Sequence, residues 1–398
     1  MTSMYAASIL DGRKQLVHFG FTQSPKIHLQ SAMAQSTHSH LRRPRIALTM
    51  GDPSGIGPEL AAKLLSNPAN AQRADIVLLA DHSELQSATA DAGGVHALVT
   101  DGAASRQGAQ VLDDNTASQY ASTRGEVSEA SGARSMHQLK RALKMVSEGS
   151  IDGIVFTPLN KSSLKKAGMT EEDELRWFAN QLAYTGTTSE INIAGPLWTG
   201  RVTSHIGIEK VAARITQDST LKAIELLHRL RWESGIEHPR LGVCALNPHN
   251  GENGAFGRQE IEHIRPAVER ARASGLDVQG PFPGDTIFLK RQHFDAVLTM
   301  YHDQGQTAMK LLAFDGGVTV QGGLPIPIAT PAHGTAFDIV GRNLASVTST
   351  QNAFDIVATM AERRIAKEAG ACEATSEPAT TKAGLLPNST VVEVASCC

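Results

Sequence analysis

Three histidines in this chain follow closely on apolar runs: His205 in TSHIG, His249 in NPHNG and His302 in YHDQG. A neutral imidazole is a good ligand for Zn²⁺ and similar divalent ions, and three of them would leave a coordination position open for substrate. The chain has 15 histidines, so each one alone reads as well as a surface or hydrogen-bonded core residue. Their repetition in equivalent places is what points to a metal. Asp303, beside His302, and Asp285 in GPFPGDT could orient such ligands from behind, although Asp285 follows Pro-Gly and reads equally as a turn residue. Lys161 in PLNK and Lys310, eight residues beyond His302, are candidate proton-transfer or carboxylate-binding groups. A nearby cation can bring an amine toward neutrality, but most lysines are simply solvated, and without further context that reading is favoured for each.

Two glycine-bearing segments could serve a cofactor. GDPSGIGPE, Gly51 to Glu59, leads from a strand into a helix starting near Glu59, and Gly55 and Gly57 would let the backbone approach an anion or a ribose. It is neither a GxGxxG fingerprint nor a P-loop, and a tight turn explains it equally well. HGTAFDIVG, His333 to Gly341, reads as a second such loop opening a helix, in which His333, Gly334, Thr335 and Asp338 could bind a base or sugar, or cap that helix.

Short apolar runs that read as buried strands carry these residues: RIALTM, ADIVLLA, IDGIVFTP, LGVCALNP and FDAVLTMY. Between them lie amphipathic helical patterns, with Met136, Leu139, Leu143 and Val146 on one face, Leu221, Ile224 and Leu227 on a second, and Ile261, Ile264 and Val268 on a third. Alternating strands and helices predict an α/β fold with a largely parallel sheet covered on both faces. Such sheets carry their sites at the carboxyl ends of strands, and five ends here deliver polar residues: GDPSG, PLNK, SHIG, NPHNG and YHDQG.

With 398 residues, the chain has room for two domains or one large unit. A net charge of −3 gives no reason to expect nucleic acid or an anionic membrane as partner, and no apolar run is long enough to span a bilayer. Four cysteines without a CxxC pair fit a reducing cytoplasm, and Cys244 reads as a small buried apolar residue. Residues 1–43 and 371–398 lack a core-forming pattern and read as a disordered extension and a flexible tail.

Taken together, MGDPSGIGPE, TPLNK, NPHNGENGAFG, GPFPGDT, YHDQG and HGTAFDIVG, in that order from about Arg45 to Arg342, resemble the 4-hydroxythreonine-4-phosphate dehydrogenase family of vitamin B6 biosynthesis and its catabolic relatives. The resemblance implies the fold of the isocitrate and isopropylmalate dehydrogenases, with an active cleft between two α/β domains. These would be residues 44–165 plus 303–370 on the cofactor side, and residues 166–302 carrying metal ligands and dimer interface. It also implies a homodimer whose subunits share a divalent metal (Zn, Co, Mn, Ni or Mg) on the histidines matching His205, His249 and His302. Lys310 matches a substrate-binding lysine, and by analogy with the wider fold the loops of Gly55 and His333 would line an NAD site, NADP not being distinguished. The implied chemistry is hydride transfer from a secondary alcohol of a small hydroxy acid to NAD⁺, with or without subsequent loss of CO₂.

Departures from the family pattern concern the substrate. Where biosynthetic members read GHTE, this chain reads EEDELRW, with Glu174 and Leu175 in place of the substrate-contacting His and Thr. Thr319 and Ile328 stand where the family has a substrate-binding Asn and Arg. Loss of the Arg removes a bidentate phosphate donor and Glu174 adds negative charge, so both changes argue against phosphate recognition. The family also contains cis-dihydrodiol carboxylate dehydrogenases of aromatic catabolism, which lack the same contacts; Trp177 could wall such a ring or belong to the core. True 4-hydroxythreonine-4-phosphate dehydrogenase activity, a metal-dependent hydrolase or lyase without NAD, and a member that only binds a metabolite are the competing expectations.

Overall fold

The computed structural model describes residues 41–100, 102–312 and 316–376. Most of both terminal segments expected to be disordered or flexible lies outside the described residues. Residues 371–376, assigned above to the tail, continue a helix that spans Thr348–Ser376.

Among the described residues, twelve strands form one sheet. They are β1 Arg45–Thr49, β2 Asp75–Leu79, β3 Val99–Thr100, β4 Ala109–Val111, β5 Gly153–Phe156, β6 Ser189–Ala194, β7 Leu197–Arg201, β8 Leu241–Cys244, β9 Val278–Phe282, β10 Ala296–Thr299, β11 Val318–Gly322 and β12 Ile328–Pro331. Their spatial order is β3-β4-β2-β1-β5-β12-β11-β6-β7-β10-β8-β9. All five apolar runs form strands, and each of these pairs parallel with at least one neighbour, as burial on both faces requires.

The sheet reverses three times at its centre, at β12–β11, β11–β6 and β6–β7. The five polar strand ends therefore do not share one direction: β7, β8 and β10 run opposite to β1 and β5. A hairpin joins β6 to β7, with Ala194 paired to Leu197 across Gly195-Pro196, which is what sends β7 back. Accumulated twist of roughly 80–100° over the four steps from β5 to β7 also rotates the two parallel wings relative to each other.

Helices cover the sheet through the predicted faces. The helix Glu129–Ser147 is started by Ser128, whose hydroxyl accepts the Ser131 N–H, and it buries Met136, Leu139 and Leu143. The helix Gln217–Glu233 is capped by Thr216 and buries Leu221, Ile224 and Leu227. Ile261 and Ile264 fall in a π-helical turn, Glu260–Ile264, that runs into the helix Arg265–Ala273 with Val268 buried. Full burial of each such aliphatic chain contributes about 1.5–3 kcal/mol.

The expected helix at HGTAFDIVG does not form. A short 3-10 turn, Phe337–Ile339, takes its place, and left-handed backbone at Ala336, Gly341 and Asn343 stops any continuation before Thr348. Cys244 is buried without polar partners and its thiol is pushed far up by burial, as a structural cysteine should be. No helix among the described residues is long and apolar enough to cross a membrane.

Candidate active site

β7 and β10 are parallel neighbours, with Arg201 opposite Thr299. The segments leaving them therefore start side by side, and His205 and His302 meet with ring centroids 5.6 Å apart. His205 has a left-handed backbone, φ +42°, which turns the chain sharply after β7. His302 opens the helix His302–Leu312. Gln304, one turn in, accepts the Met300 N–H and donates to the Ala245 carbonyl, tying the end of β10 to the end of β8.

Both rings are held on the same side. Asp173 Oδ2 lies 2.8 Å from His205 Nδ1, and Asp303 Oδ1 lies 2.7 Å from His302 Nδ1. With Nδ1–H donating to a carboxylate, each ring keeps Nε2 as its lone-pair atom, the arrangement that suits a metal ligand. The hydrogen bond to Asp173 raises His205 above the ordinary imidazole range, outweighing its burial. Burial would raise Asp173, but the bonds from His205 and from the Arg176 N–H hold it below the usual carboxylate range. The two histidines border a cavity of about 240 Å³ lined also by Thr203, Ile208, Val211 and Tyr301.

Glu172, Asp173 and His205 also present ligand-type atoms within 4.8 Å of one another. The Asp173–His205 hydrogen bond accounts for that grouping without an ion. His205 Nε2 lies 4.0 Å from Glu190 Oε2, and Glu190 is itself paired to the buried Arg201. This pair continues the β6–β7 register, and Arg201 Nε donates to Ser204 Oγ, bracing the turn before His205.

His249 is not in that cluster. It stands exposed in the loop after β8, where His249 to Asn253 all have positive φ, and its ring neighbour is Phe256. The Leu246 and Asn247 N–H groups both donate to buried Glu260, which fixes where the loop leaves the sheet. Lys310 lies exposed on the last turn of its helix, about 12 Å along the axis from His302. Asp285 is exposed in the turn that follows β9, as the simpler reading had it.

The positions of the substrate departures separate. Glu174, first residue of the helix Glu174–Gln181, is buried. Burial pushes its carboxyl up; the Lys161 charge opposes this, while Glu190 and Asp173 add to it. Lys161, whose charge acts on Glu174, stands exposed at the start of the helix after β5. Thr319 Oγ1 donates to Asn192 Oδ1 across the β11–β6 pair. Ile328 has no exposed surface; it packs in the core with Leu175, Trp177 and Phe178, and the structure gives it no access to a ligand.

The two glycine loops do come together. Ile56 N–H donates to the Thr335 carbonyl. However, a side chain at Gly55 would strike Thr335 at 2.7 Å, and one at Gly57 would strike the Met50 carbonyl at 2.3 Å. Both glycines thus stand where the backbone passes close to other parts of the protein. Space lies at Gly334, where an added Cβ would meet nothing within 4 Å, with His333 and Asp338 exposed beside it.

Asp173 was absent from the sequence-derived site. Its visible signal was that of a helix start, and it fulfils that role too, Oδ1 accepting the Arg176 N–H at 2.8 Å. Glu190 and Arg201, on strands of ordinary appearance, offered no local signal.

Residues 71–357 match the family model described as pyridoxal phosphate biosynthetic protein PdxA. A Pseudomonas aeruginosa relative, provisionally named 4-hydroxythreonine-4-phosphate dehydrogenase 2, is 48% identical over 333 residues, covering 81% of this chain and 98% of its own. The crystal structure of 4-hydroxythreonine-4-phosphate dehydrogenase from Klebsiella pneumoniae is 31% identical, with a TM-score of 0.69 over 81% of this chain and 100% of that one. A terephthalate 1,2-cis-dihydrodiol dehydrogenase from Burkholderia xenovorans is 29% identical, with a TM-score of 0.60 over 80% and 98% of the two chains.

Proposed function

Since this chain belongs to the PdxA family of dehydrogenases acting on CH–OH groups, we propose that it oxidises a secondary alcohol of a small hydroxy acid to the ketone, with NAD⁺ as acceptor and a divalent cation at His205 and His302. The observation that carries this reading is the pair of rings 5.6 Å apart, each with Nδ1 bound by a carboxylate. Two imidazoles prepared in this way fit a borderline divalent ion, and His249, held on an exposed loop, is suited to complete the set from a second copy of the chain.

When bound, the cation would acidify a coordinated hydroxyl and the nicotinamide would take the hydride from its carbon. The protein's own part is positional. Asp173 and Asp303 leave both Nε2 atoms as the lone-pair donors. We assign the relay of the hydroxyl proton to Lys161, whose charge acts on Glu174. We assign the dinucleotide to the exposed His333, Gly334 and Asp338, with Thr335, Gly55 and Gly57 in the adjoining loops. Lys310 is too far along its helix to serve His302 directly, so we assign it to the substrate carboxylate in the adjoining subunit's site, with Asp285 at the rim.

Glu174 and Ile328 favour a substrate without phosphate, in line with the activity named for the Burkholderia xenovorans protein. The second reading is a phosphorylated substrate, as the names of the Pseudomonas and Klebsiella proteins have it. The test follows NADH absorbance with added Zn²⁺, Mn²⁺ or Co²⁺, comparing 4-phosphohydroxy-L-threonine with aromatic cis-dihydrodiol carboxylates. We expect turnover that chelation abolishes, with preference for the unphosphorylated class. No NADH from either class, together with no NAD⁺ binding by calorimetry, rejects the dehydrogenase mechanism.

A further inference from the structure

Asp173 is 4% exposed, and its two carboxylate oxygens have separate tasks. Oδ1 caps the helix Glu174–Gln181 through the Arg176 N–H, and Oδ2 reaches His205, 32 residues on in sequence. His205 needs such a hold. A non-glycine residue at φ +42° is in a sparsely populated conformation that neighbouring structure must maintain. Of the two further carboxylates near the ring, Glu190 is already committed to Arg201, and Glu172, exposed and within 4.8 Å, is paired with Arg176.

We infer that Asp173 is a positioning residue: it holds His205 as the Nδ1–H tautomer with Nε2 as the lone-pair atom, and it locks that ring to the helix whose first residue is Glu174. The inference rests on the reading of His205 as a metal ligand only for its consequence, since the tautomer is a property of the metal-free protein. One carboxylate thereby joins the proposed metal ligand to the wall of the substrate pocket. A shift of that helix on substrate binding is felt at the ring, and a shift of the ring at Glu174.

Two substitutions separate this role from simple capping. Serine and asparagine both cap helices well. D173S is too short to reach the imidazole, and D173N can turn an amide N–H toward Nδ1, which favours the opposite tautomer. The full-length, metal-free protein is measured first, by long-range ¹H–¹⁵N correlation of the histidine rings above pH 8, with H205A to assign the signal. Co²⁺ affinity is then measured by competition with a chromophoric chelator, and folding by circular dichroism and thermal unfolding.

We expect Nδ1–H at His205 in the wild-type protein and loss of that tautomer in D173N. Both variants should bind Co²⁺ roughly 10- to 100-fold more weakly, as disruption of outer hydrogen bonds to a metal-bound histidine usually does, with unfolding temperatures close to wild type. A wild-type His205 protonated at Nε2 overturns the proposal. So does D173S binding Co²⁺ as tightly as wild type. A wild-type protein that binds no Co²⁺ sinks the metal reading instead, while the tautomer measurement still decides the role of Asp173.

Discussion

Ile328 has no exposed surface and lies among Leu175, Trp177, Phe178 and Phe156. An arginine placed there would put its charge among apolar side chains away from water, and an unpaired buried charge costs about 3–5 kcal/mol. We therefore expect Ile328→Arg to lose stability of that order in urea unfolding, so that a phosphate site is not regained by this exchange alone. A loss below about 1 kcal/mol would mean that the side chain finds the pocket after all. Glu174 makes a converse case. Its carboxyl is raised by burial, so the folded state holds its proton to a higher pH than the unfolded chain does. Stability is then lost as pH rises from the unfolded value through the folded one, and is unaffected below both. Glu174→Gln removes this loss. It should be as stable as wild type at pH 4 and more stable at pH 8, whereas equal stability at both would place Glu174 in a well-solvated or fully paired setting.

The parallel neighbours β1 and β5 are clamped by Asp152, which precedes β5 and accepts from the Arg45 N–H and from the Arg42 and Arg45 guanidiniums. Burial works against this carboxylate, but its arginine and backbone bonds hold it down to about 2. A depressed carboxylate stabilises the fold above its unfolded pKa and ceases to do so as pH falls through the folded one. Asp152→Asn should therefore cost about 1–2 kcal/mol at pH 7, and the gap should close between about pH 4 and pH 2; a gap independent of pH would assign the cost to shape instead of charge. β1, β2 and β5 were legible because burial on both faces makes them continuous apolar runs. β6 and β11 were not, since SEINIA and VTVQG mix polar and apolar positions, and nothing local states whether a strand will pair parallel or antiparallel. The site divides along the same line. His205 and His302 were legible as strand-end histidines. Asp173 was not, because a capping aspartate looks the same whether or not its second oxygen meets a distant ring. Gly55 and Gly57 were read equally as ligand space or as a tight turn, and the close approach of Thr335, 280 residues away from Gly55, has no local signal.

A single copy leaves the proposed site unfinished. His205 and His302 share a cavity, but His249 stands apart on an exposed loop with Phe256, 54% exposed, behind it. Ile208, at the cavity, is 67% exposed, and Leu311, next to Lys310, is 83% exposed. If a second copy covers these apolar side chains, a two-fold symmetric contact would present each chain's loop to the other's cavity. If His249 and His302 serve each site from different chains, defects in the two can complement. His249→Ala and His302→Ala homodimers should each be inactive yet folded. Mixed through a cycle of dissociation and reassociation, half the dimers become hybrids, and each hybrid has one site with all three histidines and one with only His205. Activity should then rise from nothing to about a quarter of wild type at equal mixing. If all three histidines came from one chain, no hybrid would contain an intact set and mixing would restore nothing. A chain that elutes as a monomer at assay concentration and is fully active there would remove the shared site altogether.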